Sequence, residues 1–283
     1  MNEIIAKQNT PRVISITSGK GGVGKTSLSI NLALALAQCG EKVLVIDADL
    51  GLANVNVMLG VEPTQNVASV LAGRASIEDI IVSYAQNLDI IPASSGVQDV
   101  VRLDVNQQRF LFDSIEEVGW NYDFLIVDTG AGIGDNVIYF NSAAEEIFIV
   151  INNEPTSITD AYALIKVLAL SSGHRSFNVI ANRIPIGQSG REVFRKLAVA
   201  SSRFLDVKLR FIGSIHEDTS VSNAIILQRP FIELAPGLPA SKDVKALANK
   251  IREDKTLRNP LGGLQFFFSS LLTRGDHSKS LNS

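Results

Sequence analysis

Near its amino terminus the chain has glycines and two lysines whose types and spacing suit the binding of a polyphosphate. The segment Gly19–Thr26, GKGGVGKT, fits the pattern G-x-x-x-x-G-K-[ST] and lies between an apolar run and a segment with helical spacing. Glycines let successive backbone N–H groups converge on phosphate oxygens, and the amino end of the following helix adds partial positive charge. Lys25 is then predicted to contact the β- and γ-phosphates, and the Thr26 hydroxyl to coordinate Mg²⁺. The residues predicted to line this phosphate site are Gly19, Lys20, Gly21, Gly22, Val23, Gly24, Lys25, Thr26 and Ser27.

Three aspartates follow apolar runs further along the chain. Asp47 and Asp49 come after one run, and Asp128 closes another. Because open α/β sheets bind ligands at the carboxyl ends of their strands, we expect these carboxylates to lie beside the phosphate site. Hydrolysis there needs acceptors that hold Mg²⁺ and an acceptor that orients the attacking water, and a solvated turn is the alternative for a single aspartate. Asp128 is predicted to hold the hydrated Mg²⁺, and the glycine-rich Thr129–Asp135 is predicted to respond to the γ-phosphate.

The elements that must position these residues alternate along the chain. Short β-branched or leucine-rich runs alternate with longer segments at helical spacing, which is typical of an α/β fold with a mostly parallel central sheet and helices on both faces. The runs are apolar almost throughout, so both faces of the sheet should be covered. The predicted strands are Val13–Thr17, Lys42–Ile46, Leu88–Ile91, Phe124–Val127, Ile147–Ile151, Phe177–Ala181 and Lys208–Ile212. The predicted helices include Thr26–Gln38, Asn106–Glu117, Ile158–Leu170 and Gly190–Phe204.

The second lysine within the glycine loop makes the motif more specific. Lys20–Thr26, KGGVGKT, resembles the deviant Walker A motif of the MinD/ParA family of ATPases, within the SIMIBI class of P-loop NTPases. The resemblance implies ATP and Mg²⁺ as cofactors, slow hydrolysis of ATP to ADP and phosphate, and an ATP-dependent homodimer. It implies that Lys20 reaches the nucleotide of the opposite subunit, and that Asp49 orients the attacking water or accepts its proton. Asp47 is implied to belong to the outer Mg²⁺ shell, so Lys20, Lys25 and Asp49 are the predicted catalytic residues.

The same resemblance implies a base site and a dimer interface. Asn182 ends the sixth predicted strand, where the family has an asparagine that hydrogen-bonds adenine, and an amide can both donate to and accept from one base edge. The residues predicted to surround the base are Asn182, Arg183, His216, Glu217 and Asp218. Glu154 and Asp160 match acidic residues of MinD at the dimer interface and the partner-binding face. A helix start of capping-box type, formed by Thr156, Ser157 and Asp160, is the alternative explanation of this segment.

Three longer segments resemble the FlhG group of flagellar-number regulators, which includes FleN and YlxH. They are DADLGLANVNV at Asp47–Val57, PASSG at Pro92–Gly96 and EPTSITDAYALIK at Glu154–Lys166. This resemblance implies regulation of flagellar number or placement and of flagellar gene expression, with the FlhF GTPase, flagellar switch (C-ring) proteins or a FleQ-like transcription activator as partners. The stretch Met1–Arg12 has no DQAxxLR element, the part of many FlhG proteins that stimulates FlhF. A MinD-type regulator of the division site and a ParA-type DNA or cargo partitioning ATPase are the alternatives.

Composition restricts these alternatives. The 283 residues include 26 lysines and arginines and 29 aspartates and glutamates, so the net charge of −3 gives no general signature of nucleic-acid binding. We interpret the basic residues on one predicted helix as a solvated face, and we do not expect direct nucleic-acid binding. These basic residues are Arg191, Arg195, Lys196 and Arg203. Cys39 is the single cysteine, which excludes an internal disulfide and the thiolate ligands of iron–sulfur carriers with this fold.

The carboxyl-terminal segment has a pattern of its own. We divide the chain into a MinD-like ATPase domain, residues 1–255, and a tail, residues 256–283, whose apolar residues fall on one helical face. These apolar residues are Leu261, Leu264, Phe267, Phe268, Leu271 and Leu272. Because FlhG and MinD end in a membrane-targeting amphipathic helix, the resemblance implies reversible membrane association, and a helix packed permanently on the domain is the alternative. With no secretory segment and no apolar run of spanning length, we expect a cytoplasmic protein that associates, with ATP bound, with the inner face of the cytoplasmic membrane.

Overall fold

The computed structural model describes residues 11–51, 53–93 and 103–254. Most of the Pro92–Gly96 motif, the tail from residue 256 and its predicted amphipathic helix lie outside this part of the chain. Within it, no helix is both long and apolar enough to cross a membrane.

Eight strands of the described chain form one sheet. They are β1 (Arg12–Ser18), β2 (Val43–Ala48), β3 (Val82–Ala85), β4 (Leu88–Ile91), β5 (Phe124–Ala131), β6 (Glu146–Ile151), β7 (Ser176–Ile184) and β8 (Lys208–His216). Their order is β3-β4-β2-β5-β1-β6-β7-β8, and the neighbouring pairs are parallel except for β3 and β4. β1, β2 and β6 are buried along their whole length, as expected of apolar runs covered on both faces. The mostly parallel sheet predicted from the sequence is confirmed, and β1, which leads into the glycine loop, lies between β5 and β6.

Helices cover both faces of this sheet. They are α1 (Lys25–Gln38), α2 (Val55–Met58), α3 (Val67–Leu71), α4 (Val105–Gly119), α5 (Asp135–Ala143), α6 (Pro155–Ser171), α7 (Gly190–Phe204), α8 (Thr219–Ile226), α9 (Phe231–Leu234) and α10 (Pro239–Glu253), with a 3₁₀ turn at Glu78–Ile80. On one face, α1 and α10 share an apolar core with Ile14, Ile126 and Phe148. On the other face, α4 and α5 pack with Leu125, and α6 and α7 pack with Ile149. The helices therefore hold the central strands rigidly from both sides.

The predicted elements occur where expected, with shifted ends. α6 begins at Pro155 rather than at Ile158, because proline suits the first turn of a helix, where its missing N–H has no helical partner. β5, β7 and β8 continue beyond the predicted apolar runs, so they carry Asp128, Asn182 and His216. The apolar pattern does not predict β3, whose four residues are all partly or fully exposed.

The amino ends of the strands, opposite the glycine loop, are held by a buried ion pair. Arg12 donates to the carboxylate of Glu146 from Nε at 2.8 Å and from Nη2 at 2.9 Å. Its Nη1 donates to the carbonyl of Ile251, in the last turn of α10, at 2.5 Å. Cys39 follows α1 at this same edge and is exposed, with its Sγ 3.6 Å from Asn249 Oδ1. One guanidinium group therefore joins β1, β6 and α10 far from the residues predicted to bind phosphate.

Candidate active site

The glycine loop between β1 and α1 has the backbone shape that a phosphate cradle needs. Gly22 and Gly24 have φ angles of 76° and 92°, in the left-handed region that favours glycine. Gly24 is the N-cap of α1, and its carbonyl accepts the N–H of Leu28 at 3.0 Å. A Cβ on Gly24 would lie 2.5 Å from Asn182 Nδ2, so glycine also leaves room for the Asn182 amide beside the loop. The loop thus delivers the amino end of α1, where an anion is favoured, to the carboxyl edge of the sheet.

Gly19 is the point at which the loop touches α6. A Cβ there would lie 2.1 Å from the carbonyl oxygen of Asp160 and 2.6 Å from the nitrogen of Ala161. Both neighbours are backbone atoms of a helix, which cannot rotate away as a side chain can. Asp160, which the sequence predicts to face a partner, is half-buried and contacts the loop through its main chain. The position of α6 is therefore coupled directly to the position of the loop.

Lys20 is held within its own chain by the start of α6. Its Nζ donates to the carboxylate of Glu154 and, at 2.9 Å, to the hydroxyl of Thr156. Asn152 Nδ2 donates to the other Glu154 oxygen at 2.7 Å, and the hydrogen bond from Lys20 is the leading cause that lowers the pKa of Glu154. Ser157 accepts the N–H of Asn152 at 3.1 Å. Thr156 and Ser157 therefore bond to the loop lysine and to the preceding turn, which contradicts the capping-box alternative.

Asp128 is fully buried next to the glycine loop. Its Oδ1 accepts the hydroxyl of Ser29, on α1, at 2.7 Å. Its Oδ2 is also buried, and none of the described residues donates a hydrogen bond to it. Burial raises the pKa of Asp128, while the neighbouring Thr26 hydroxyl and the Lys25 charge oppose that rise. A buried carboxylate oxygen without a donor is unfavourable, and a bound cation would remove that cost.

Asp47 lies directly opposite Asp128 in the register between β2 and β5. The Asp47 carboxylate accepts three backbone N–H groups, from Asp49 at 3.1 Å, Asn54 at 2.9 Å and Val55 at 3.0 Å. Burial and then the charge of Asp128 raise the pKa of Asp47 to about 7. The loop after β2 is therefore folded around one buried carboxyl group, from which α2 begins.

Asp49 faces the same space as the glycine loop. A cavity of about 900 Å³ is lined by Lys25, Thr26, Asp49 and Gly130, among others. Asn54 Nδ2 donates to Asp49 Oδ2 at 3.4 Å, and a Cβ on Gly130 would lie 3.7 Å from Asp49 Oδ1. Since the cavity is continuous from the loop to Asp49, this carboxylate can accept a hydrogen bond from a water beside a bound phosphate.

The oxygen donors at this edge fit Mg²⁺. The ion prefers oxygen ligands, keeps several waters and uses one or two carboxylates together with substrate phosphates. The Thr26 hydroxyl and the unpaired Oδ2 of Asp128 would supply such ligands, with Asp47 beside them. A cation would also offset the repulsion between Asp47 and Asp128 that contributes to the raised pKa of Asp47.

A second cavity, of about 290 Å³, adjoins the loop and contains the residues predicted to surround the base. These residues are Asn182, Arg183, His216, Glu217 and Asp218. Asn182 is buried; its Nδ2 donates to the carbonyl of Val23 at 2.8 Å, and its Oδ1 accepts the N–H of Arg183 at 2.9 Å. Each of these amide atoms can make one further hydrogen bond, so Asn182 retains capacity for a base edge.

Arg183 crosses from the loop to the segment after β8. It has a φ angle of 56°, which is uncommon for a residue with a side chain and concentrates at functional sites. Its guanidinium nitrogens lie 3.4 Å from the carbonyl of Gly22 and 3.8 Å from the carboxylate of Glu217. Both contacts lie along the wall of the base cavity.

His216 and Asp218 are fixed by groups that the sequence did not identify. The backbone N–H of His216 donates to Asp243 Oδ2 at 2.9 Å, and the His216 Nδ1 lies 2.7 Å from the same oxygen. Asp218 caps α8 by accepting the N–H of Ser220 at 2.9 Å, and the Ser220 hydroxyl lowers the pKa of Asp218. Asp243 lies on α10, 27 residues after His216, so no local spacing could have revealed the contact.

The chain is similar in sequence to known proteins over most of its length. The sequence profile of a family described as an AAA domain matches residues 11–178. The antiactivator FleN of Pseudomonas aeruginosa is 46% identical over 92% of this chain and 93% of its own length. The chain belongs to the MinD/ParA family of ATPases. Within this family it groups with FleN and with the flagellum site-determining protein YlxH of Helicobacter pylori, which is 36% identical over 94% of this chain and 91% of its own.

Solved structures of the MinD/ParA family show the same fold. The cell division ATPase MinD of Pyrococcus furiosus superposes with a TM-score of 0.71 at 30% identity, over 86% of this chain and 98% of its own. MinD of Pyrococcus horikoshii in complex with Mg-ADP also gives 0.71 at 30% identity, over 87% and 97%. The second structure supports the use of nucleotide and Mg²⁺ in this family.

Folding brings most of the predicted residues to one edge of the sheet. Asp49 and much of the glycine loop line one cavity, and the base residues line the adjoining one. Asp47 and Asp128 are buried opposite each other on β2 and β5, and Glu154 contacts Lys20. The sequence did not predict that Ser29, Thr156 and Asp243 belong to the site, although each forms a hydrogen bond with a predicted site residue. The basic residues of α7 interpreted as a solvated face are exposed, as predicted. They are Arg191, Arg195, Lys196 and Arg203.

Proposed function

We propose that this chain is an ATP-dependent dimerising switch that regulates flagellar number or placement and flagellar gene expression. The observation that carries the switch is the position of Lys20. Its cation belongs to the phosphate loop by sequence, yet within one chain it bonds to Glu154 and Thr156. The flagellar output is supported by the similarity to FleN and YlxH along almost the whole chain.

The proposed reaction is hydrolysis of ATP to ADP and phosphate. The loop N–H groups and Lys25 would bind the β- and γ-phosphates, and Thr26, Asp128 and Asp47 would hold hydrated Mg²⁺. When bound, Mg²⁺ supplies positive charge to the phosphate oxygens. Asp49 orients a water in line with the γ-phosphorus and accepts its proton as the new P–O bond forms. The bond from the γ-phosphorus to the bridging oxygen breaks, and ADP carries that electron pair away.

Dimerisation would use the rim of the nucleotide cleft. Five large apolar side chains, one of them lining the cleft and the others within two residues of lining residues in the sequence, are between 43% and 78% exposed. They are Val57, Ile133, Ile225, Ile226 and Leu227. A second copy of the chain would cover this apolar surface and present its own nucleotide to Lys20, which must then leave Glu154. ATP thus drives a population shift between a closed lysine contact within one chain and a contact across two chains.

The dimer is the form that acts on partners. The proposed partners are the FlhF GTPase, flagellar C-ring proteins or a FleQ-like transcription activator. We place the protein in the cytoplasm, with reversible, ATP-dependent attachment to the inner face of the cytoplasmic membrane through the tail after residue 255. Two weak tails in one dimer bind more strongly than one, which couples attachment to dimerisation.

The test combines mass in solution with partner recovery. With ATP, Asp49→Ala should hydrolyse poorly and remain a dimer by light scattering, Lys20→Ala should bind ATP and stay monomeric, and the exposed control Lys242→Ala should match wild type. If Asp49→Ala were monomeric with ATP, Asp49 would be needed for ATP-dependent dimerisation and not only for hydrolysis. If Lys20→Ala were a dimer, the proposed role of Lys20 in dimerisation would be wrong. ATP-loaded Asp49→Ala, used as bait in native lysate, should then recover flagellar proteins. Recovery of division inhibitors or of DNA instead would contradict the flagellar function and indicate a MinD-type or ParA-type function.

A further inference from the structure

A buried polar network joins the strand before the glycine loop to the helix after Asp128. Thr17, Thr129 and Asn141 are each 1% exposed or less. Asn141 Nδ2 donates to Thr17 Oγ1 at 3.1 Å and to the carbonyl of Val137 at 2.7 Å, and its Oδ1 accepts the hydroxyl of Ser15 at 2.8 Å. The network therefore fixes α5 to β1 inside an otherwise apolar core, where such a network specifies one arrangement when all its members are satisfied.

Thr129 lies in an irregularity of β5 that leads to the site. Ile16 is paired with Asp128, but Ser18 is paired with Ala131, so β5 has one extra residue at Thr129–Gly130. Such bulges re-aim the chain and are common next to active sites. Here the bulge brings the backbone of Gly130 beside the Asp49 carboxylate, because a Cβ on Gly130 would lie 3.7 Å from Asp49 Oδ1.

The hydroxyl of Thr129 has more acceptors than it can serve at once. Its Oγ1 lies 2.9 Å from the carbonyl of Gly130, 2.9 Å from Thr17 Oγ1 and 3.3 Å from the carbonyl of Ile16. A threonine hydroxyl carries one proton, so it donates to one of these acceptors at a time. Donation to Gly130 fixes the peptide that follows Gly130, whereas donation to Thr17 ties the bulge to the strand that enters the glycine loop.

We propose that Thr129 is a positioning residue for the Thr129–Asp135 loop, and that its hydroxyl sets the orientation of the bulged peptide beside Asp49 according to whether a γ-phosphate is present. The inference rests on the proposed function, since it assigns to Thr129 the response to the third phosphate. Asn141 holds α5 in place, so that a change at the bulge moves the loop rather than the whole helix.

The experiment compares variants of the full chain in steady-state ATP hydrolysis. Thr129→Val keeps the shape and removes the hydroxyl, Thr129→Ser keeps the hydroxyl, and Ser201→Ala removes a buried hydroxyl of α7 to which no described residue is hydrogen-bonded. We expect Thr129→Val to lower kcat about tenfold, equivalent to about 1.4 kcal/mol, with KM for ATP within about twofold. Thr129→Ser should restore most of kcat, and Ser201→Ala should match wild type.

Hydrogen exchange of the amides of residues 130–134 supplies a readout independent of turnover. In wild type, a non-hydrolysable ATP analogue should protect these amides more than ADP does, and Thr129→Val should lose that difference at temperatures where it is still fully folded. An unchanged kcat in Thr129→Val, or a Thr129→Ser variant as impaired as Thr129→Val, would overturn the role of Thr129 alone. A wild-type protein that neither hydrolyses ATP nor distinguishes the two nucleotides would overturn the proposed function as well.

Discussion

Gly19→Ala should separate the glycine loop from α6, because the space around Gly19 is too small for a methyl group. The new Cβ would lie 2.1 Å from the carbonyl oxygen of Asp160, whereas ordinary contacts begin at 3.4 Å, so loop and helix must part by about 1.3 Å. Overpacking of a tightly packed region costs about 1–3 kcal/mol, and rigid backbone on both sides places this case at the upper end. The shift should also pull Lys20 from Glu154 and Thr156, which begin the same helix.

A matched variant exists within the same loop. A Cβ on Gly21 would have no atom of the described residues within 4 Å. Gly21→Ala therefore adds the same methyl group without a clash. Urea unfolding without nucleotide should therefore show Gly19→Ala destabilised by about 3 kcal/mol and Gly21→Ala by less than about 1 kcal/mol. Equal stabilities for the two variants would refute the close approach of Gly19 to α6 and, with it, the coupling between loop and helix.

Three further predictions concern stability, pH and binding. Arg12→Met should cost about 3–5 kcal/mol in urea unfolding, because Glu146 stays buried without its cation; the double variant with Glu146→Gln should recover much of this, and additive losses would contradict the pairing. Without nucleotide and Mg²⁺, stability should fall as pH rises from about 4 to about 7, by up to roughly 4 kcal/mol, since folded Asp47 keeps its proton to about pH 7 and the unfolded chain loses it near its ordinary value of 3.8. Asp47→Asn should flatten that slope in urea unfolding measured across this range, and an unchanged slope would exclude Asp47 as its source. Lys25→Ala should weaken nucleotide binding at least about tenfold by calorimetry, and normal affinity would refute the phosphate-loop assignment.

Local patterns predicted the parts of the site that are continuous in sequence. The glycine loop was recognisable because its backbone shape, with positive φ at Gly22 and Gly24, requires glycine at fixed positions. Asp128 was recognisable because it directly follows an apolar run, near the carboxyl edge of the sheet where open α/β folds bind their ligands. The strands around the loop were predicted because they are buried on both faces and therefore consist of nearly continuous apolar residues.

The remaining contacts join residues that are far apart in the sequence, so no local pattern of residues predicts them. Asp243 reaches His216 across the packing of α10 on β8, and Thr156 meets Lys20 only because β6 lies next to β1 in the sheet. The capping-box explanation of Thr156 was wrong for the same reason. A hydroxyl near a helix start can cap its own helix, but the Thr156 hydroxyl instead accepts a hydrogen bond from the distant Lys20. β3 was missed because a short, half-exposed edge strand has too few buried positions to produce a pattern.

The single cysteine gives this protein a ready attachment point for a spectroscopic probe. Cys39 is exposed at the end of α1, 14 residues from the loop, so a dye there would sit about 20 Å below the phosphates at the rise of an α-helix. One sample of the wild-type chain would be labelled at Cys39 with a donor dye and a second sample with an acceptor dye. Energy transfer after mixing would then report assembly of two chains without any substitution. Because the dye is attached outside both cavities, the signal would follow nucleotide binding without obstructing it.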